Sequence, residues 1–335
     1  MAPGILRMQL PISMPGLGHV NCYALEDERG LAVVDPGMPG PATWRALGDR
    51  LRQIGAAPRN VHTVIVTHSH PDHFGGADKL RSESGAEVVT HRSFRTWFDP
   101  DEEGDPDALE PDDDIVRDRP PKGPVGSKLP WRDAEFVPGG RQRYRNPLVR
   151  RLVPRWLRSP KPSRRLDDAE VIRLAGRDWV AIHTPGHTLD HLCLLDPAEG
   201  LLLAGDHVLP TITPPVSGMG AGPDPLANFL ASLAKVRELE GVRLALPAHG
   251  HPFDDLPGRV DAIRRHHRER LDAIQQATAA AGRATVEAVT QQVFHPRAWG
   301  QMAESETYAH LEHLRHQGRV TVDDRGPDLV YEVAS

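Results

Sequence analysis

One short loop concentrates most of the reactive groups in this chain. Thr67-His68-Ser69-His70-Pro71-Asp72-His73-Phe74-Gly75-Gly76 places three imidazoles and a carboxylate within six positions. Imidazole and carboxylate are the natural ligands of zinc and related divalent cations. Neither core packing nor a solvated surface tract explains four such groups ahead of a glycine pair. Three more segments each add one ligand-capable residue: Thr184-Pro185-Gly186-His187-Thr188, Gly205-Asp206 and Pro247-Ala248-His249-Gly250. Coordination brings the pKa of bound water toward about 7. The chemistry on offer is that of a bound divalent cation, which can supply a nucleophile at neutral pH.

Such side chains need rigid mounts, and the sequence supplies them. Ile5 to Leu10, Val20 to Glu26 and Leu31 to Asp35 read as short strands, with turns at Pro15-Gly16 and Glu28 to Gly30. Pro41 to Ile54 has helical spacing, and Gly55 stops it. Val61 to Thr67 is a β-branched run suited to a strand buried on both faces, and it delivers the chain into the histidine loop. Gly76 to Ser84 reads as helix and Glu87 to Thr90 as strand. Farther along, Ala169 to Leu174, Trp179 to Ile182, His191 to Asp196, Leu201 to Ala204 and Arg243 to Leu246 are short apolar strands. Asp224 to Leu239 is an amphipathic helix with Asp224 as N-cap, Pro225 in its first turn and Gly241 after its end. Each added ligand lies just past a strand, so all can converge on one rim of two packed sheets covered by helices.

Composition narrows the class. The 335 residues carry 40 Lys and Arg against 46 Asp and Glu, a net charge of −6, which argues against nucleic-acid or anionic-membrane binding by bulk charge. No apolar run approaches the roughly 20 residues of a membrane helix, and Met1 to Ile12 lacks the pattern of a secretion signal. Cys22 and Cys193 cannot build a disulfide framework and read as small strand hydrophobes. A soluble, cytoplasmic protein is expected. Between about 92 and 165 the periodicity breaks down: residues 99–118 hold eleven acidic residues and one basic, and residues 119–165 fourteen basic and two acidic. This Pro-rich insertion is either a solvated surface segment or a lid or dimer arm in which Trp97, Trp131, Tyr144 and Trp156 pack. The division predicted is a catalytic domain over 1–256 and a small domain over 257–335. The latter reads as Val260 to Ala280, Thr285 to Phe294 and Ser305 to Gln317 in helices, then a hairpin of Val320 to Val322 and Leu329 to Val333, a winged-helix pattern. Residues 260–335 carry nine Arg and no Lys against eleven acidic residues, so a cap or dimerisation element is expected rather than a nucleic-acid binder.

Taken together, the motif residues resemble the metallo-β-lactamase superfamily over about Gln9 to Phe253, outside the insertion. The resemblance implies a four-layer αββα sandwich of α/β class. It implies His68, His70 and His187 as a first metal site, Asp72, His73 and His249 as a second, and Asp206 as the bridge between them. The cofactor implied is two divalent cations, zinc first, with manganese or iron as alternatives. Asp206 stands where the secreted antibiotic-degrading branch carries cysteine, which resembles the glyoxalase-II-like branch instead. Thr184 to His191 and the terminal winged helix most resemble lactamase-beta-like hydrolases with a winged-helix extension.

Asp190, His191 and His207 neighbour ligands and are expected to support them through hydrogen bonds or, for His207, to face the substrate. His62, His91 and His183 read as structural or surface residues; His266, His267, His310, His313 and His316 read as solvated helix faces. Beyond the cations, Asp72 is the group that could relay a proton. A thiolate departs with little protonation because its conjugate acid has a pKa of about 8.5. The expected reaction is therefore attack by a metal-bridging hydroxide on a thioester or activated ester of a small anionic substrate, of the glutathione or coenzyme A type. Two alternatives remain: a phosphodiesterase or endoribonuclease on the same metals, and a non-hydrolytic di-iron redox protein. A homodimer is the expected assembly.

Overall fold

The computed structural model describes residues 3–12, 17–96, 128–135, 159–219 and 222–334. Most of the 92–165 insertion, with Trp97, Tyr144 and Trp156, lies outside them. The first sheet runs in the order β1 (Ile5–Pro11), β2 (His19–Asp27), β3 (Gly30–Val34), β4 (Val61–Ile65), β5 (Glu87–His91) and β6 (Arg164–Leu166). Its first three strands are antiparallel and β3 to β6 are parallel. Parallel pairing needs crossovers, supplied here by α1 (Pro41–Gln53) and by α2 (Pro71–Phe74) with α3 (Ala77–Ser84). The second sheet comprises β7 (Val171–Leu174), β8 (Arg177–His183), β9 (Leu192–Asp196), β10 (Leu201–Gly205) and β11 (Leu244–Pro247), joined in spatial order from β7 to β11.

Strand alternation builds the layers. Along β2, Val20, Cys22 and Ala24 pack outward with Leu47, Leu51 and Leu80 of α1 and α3, whereas Tyr23 and Leu25 point at the other sheet. Along β9, Leu192 and Leu194 meet them from the opposite side, and Cys193 and Leu195 face outward. That outer face is covered by α4 (Pro225–Arg237) and α5 (Leu256–Ala281). The result is helices, sheet, sheet and helices. Both cysteines are buried and unpaired by disulfide.

Beyond α5 follow β12 (Ala284–Thr285), α6 (Val286–Val293), α7 (Gln301–His316), β13 (Val320–Asp323) and β14 (Val330–Val333), with β14 between β12 and β13 in a small sheet. Their apolar residues, among them Ala309, Leu311, Leu314 and Tyr331, join Ile182, Leu202 and Phe229 in one continuous buried cluster. Trp131, the one expected insertion aromatic among the described residues, is buried in that cluster and donates its indole N–H to Glu304 at 3.0 Å.

Three local expectations change. The strand expected to reach Thr67 ends at Ile65, because Thr67 bonds to a side chain instead of the ladder. The helix expected from Ser305 begins at Gln301. The third change concerns the α5 and α7 histidines. His267 and His310 are fully buried and His313 nearly so, because α4, α5 and α7 pack against one another. His310 donates Nδ1–H to the Glu306 carbonyl at 2.7 Å, leaving Nε2 to accept from His267 Nδ1 at 3.1 Å. Burial pushes His267 down to about 2 and His310 to about 3, so both are neutral polar core residues. His316 is exposed as expected.

Candidate metal centre

The rim where β3, β4, β8, β10 and β11 end is polar, in contrast to the apolar space between the sheets. Asp35 follows β3 at a positive φ of 53° and is buried. Its carboxylate accepts from the Thr67 backbone N–H at 2.9 Å, the Thr67 hydroxyl at 2.8 Å and His73 Nδ1 at 2.9 Å. Thr67 in turn accepts at its carbonyl from Leu192 N of the second sheet at 2.8 Å. The histidine loop is thus tied to both sheets before its first ligand-capable residue.

Ligand-capable atoms from the four segments then meet. His68, His70 and His187 form one group whose ligand-capable atoms lie within 4.8 Å of one another, and Asp72, His73 and His249 form a second. Asp206 sits between them. Its Oδ2 is 3.9 Å from His68 Nε2, 3.7 Å from His187 Nε2 and 3.5 Å from His73 Nε2, while Oδ1 is 3.5 Å from His249 Nε2. Asp72 Oδ2 lies 3.3 Å from His249 Nε2. All seven residues anticipated as ligands gather at this rim.

The ring orientations are set from behind. His187 donates Nδ1–H to the Pro215 carbonyl at 2.7 Å and His249 donates Nδ1–H to the His19 carbonyl at 2.8 Å. With His73 held by Asp35, three rings direct their Nε2 atoms to the centre. Those three Nε2 atoms and Asp206 Oδ1 are buried without a hydrogen-bond partner. Buried polar atoms are rarely left this way, and two divalent cations would satisfy them. The residues fit the cofactor.

Electrostatics divide the cluster. Burial, with neighbouring imidazoles, pushes His68 well below its usual range and His70 to about 3; burial also lowers His187. Burial acts to lower His73 and His249 as well, but Asp72 and Asp206 outweigh it; His73 is raised, and His249 is raised to about 10. Cation binding at the second group must therefore displace protons.

The three neighbours take different places. His191 donates Nδ1–H to the Thr184 hydroxyl at 2.7 Å and accepts the Asp206 backbone N–H at Nε2, 3.0 Å away, so it fixes the turn that carries the Asp206 carboxylate. Asp190 accepts from Ser69 Oγ at 3.0 Å, clamping the loop between His68 and His70. His207 lies fully buried with its ring 5.9 Å from that of His191 and 5.2 Å from that of Phe229, and makes no hydrogen bond to a ligand-capable residue. Gly186 has a φ of 137°, and a Cβ there would fall 2.4 Å from the Phe229 backbone, so glycine alone lets His187 approach. Asp35 was visible in the sequence only as a strand end; an aspartate just past a buried strand was its one signal.

Comparison with known proteins agrees with this geometry. The family model of the metallo-β-lactamase superfamily matches residues 15–280. A crystal structure of a metallo-β-lactamase family protein from Thermus thermophilus superposes with a TM-score of 0.74 at 28% identity, covering 99% of both chains. A lactamase-like protein, nscB, of Aspergillus fumigatus is 34% identical over 109 residues, 32% of this chain and 31% of that one. An atrochrysone carboxyl ACP thioesterase of Aspergillus chevalieri is 31% identical over 133 residues, 38% of this chain and 41% of that one. The matches span about a third of the first curated relatives. A family model over most of the chain, on a matched fold whose rim assembles the two triads around one aspartate, makes this chain a member of the metallo-β-lactamase superfamily.

Proposed function

We propose that the protein hydrolyses thioesters with two zinc ions, as a glyoxalase-II-like or lactamase-beta-like member whose segment 257–335 is a winged-helix-like cap. The observation that carries the reading is the placement of Asp206, whose carboxylate lies within 3.5–3.9 Å of imidazole Nε2 atoms from both triads. His68, His70 and His187 would hold one cation, and Asp72, His73 and His249 the other. Bound there, the pair supplies an acidified water and a Lewis acid for an acyl oxygen. The protein's own part is orientation. Asp35, Pro215 and His19 aim three imidazoles, and His191 fixes the Asp206 turn.

Asp72 would serve as the proton relay; burial alone would raise its pKa, but His73 and His249 outweigh it and hold the carboxylate well below its usual range, so it carries no proton at rest. Tyr23, the described tyrosine that bonds to the Pro247 carbonyl of the His249 loop, is pushed well above its usual range by burial and keeps its proton. With so little acid at hand, a leaving group that departs as an anion is favoured, and thiolate is one. The name of the A. chevalieri relative as a thioesterase supports the same class. The zinc-loaded enzyme is expected to cleave a panel of acyl-glutathione and acyl-coenzyme A thioesters, with His68→Ala lowering kcat/KM by at least about 100-fold. Cleavage of a labelled RNA with no thioester turnover would replace this reading by the phosphodiesterase one.

A further inference from the structure

The His187 side of the centre rests on a loop that belongs to neither sheet. After Asp206 the chain crosses the rim, and its Pro215 carbonyl takes the Nδ1–H of His187 at 2.7 Å. Two residues on, that loop is fastened to α7. Ser217 Oγ lies 2.9 Å from Ser305 Oγ, and the Gly218 N–H reaches Ser305 Oγ at 3.0 Å and the Ser305 carbonyl at 3.2 Å. Ser305 is buried, with 1% exposure, and Val216 between the two attachments is fully buried. The approach is close: a Cβ on Gly218 would fall 2.4 Å from the Tyr308 ring and 3.0 Å from the Ser305 carbonyl. The far end of the same connection is held to α7 as well, because Asp224, the N-cap of α4, accepts from His313 Nδ1 at 2.9 Å.

We propose that Ser305 is a positioning residue for the first triad: through Ser217 and Gly218 it sets the Pro215 carbonyl, which fixes the Nδ1–H tautomer and direction of His187. The C-terminal segment would then help build the metal centre instead of only covering it. Asp72, His73 and His249 receive no comparable bond from α7, so the effect falls on one site of the two. Loss of such outer support costs about 10–100-fold in metal affinity.

The assignment rests on reading His68, His70 and His187 as a metal triad, and direct metal binding separates the two claims. Zinc affinity is measured by chelator competition in two single-site backgrounds. His249→Ala reports the first site, and His187→Ala reports the second. In the first background Ser305→Ala is expected to weaken zinc about 10–100-fold, Ser305→Thr to restore it, and Ser217→Ala to weaken it in the same direction. In the second background Ser305→Ala should change nothing. Unchanged first-site affinity in both alanine variants, or equal losses at both sites, overturns the assignment while leaving the metal reading intact. A parent chain that binds no zinc overturns both.

Discussion

Asp190 shows how much a single carboxylate can shift the balance of this site. It is buried beneath the histidine loop with Ser69 as its hydrogen-bond donor, and burial raises its pKa to about 7. The folded protein therefore keeps a proton that the unfolded chain releases near pH 4. Because the native state binds more protons between those values, stability falls as pH rises from about 4 to about 7, then levels. Three pKa units correspond to at most about 4 kcal/mol. Asp190→Asn keeps the acceptor for Ser69 and abolishes the titration. In the metal-free protein, urea unfolding at pH 8 should show the variant more stable than the parent by a few kcal/mol, and the two should converge near pH 4. A parallel pH profile for both chains would disprove the claim. At this scale the sequence was most legible for the ligand-capable residues that gather at the rim: four lie in one loop, and His187, Asp206 and His249 each follow a strand. It was least legible for partners. Asp35 meets His73, and Pro215 meets His187, across chain separations that no local pattern encodes.

Elements carry the ligand-capable side chains, and their closest contacts are the least forgiving. The turn from β8 to His187 passes so near Phe229 of α4 that Gly186 has no room for a side chain, and its φ of 137° is costly for any other residue. Gly186→Ala is expected to push β8 and α4 apart, lowering the melting temperature by several degrees and the affinity for a cation at the His187 site. Melting of the metal-free variant checks the first effect, and zinc titration the second. Strand alternation and caps made most elements readable: Asp224 and Thr285 cap α4 and α6 through side-chain bonds to Ala227 N and Ala288 N, as their residue types indicate. His267, His310 and His313 were misread for a physical reason. Helical spacing cannot reveal that a third helix covers both faces, and paired neutral imidazoles are as compatible with a core as with water.

Across the whole molecule, the outer face of the second sheet and the C-terminal elements share one core. Ile182 and Leu202 from the sheet, Phe229 from α4, Ile274 from α5 and Leu311 from α7 belong to the same buried cluster. Removing 257–335 would expose that apolar surface, at about 25 cal/mol per Å². A fragment ending at residue 256 is expected to aggregate or bind a hydrophobic dye strongly, and to lack a cooperative melting transition. A monodisperse, cooperatively melting fragment would show that the sandwich stands alone. Composition shift and helix content divide the sequence near Pro257, but a shared apolar interface leaves no trace in composition.

The ligand-capable residues also divide by their place along the chain. His68, His70, Asp72 and His73 share a single loop, whereas His187, Asp206 and His249 arrive only once distant strands have paired. An unfolded chain could already hold a cation loosely at the clustered half. That pre-binding would shrink the gain in stability that the complete centre confers, since only the difference in affinity between the two states counts. The late-arriving ligands would then act mainly as a brake on unfolding, each cation having to let go of remote strands before the sheets can part.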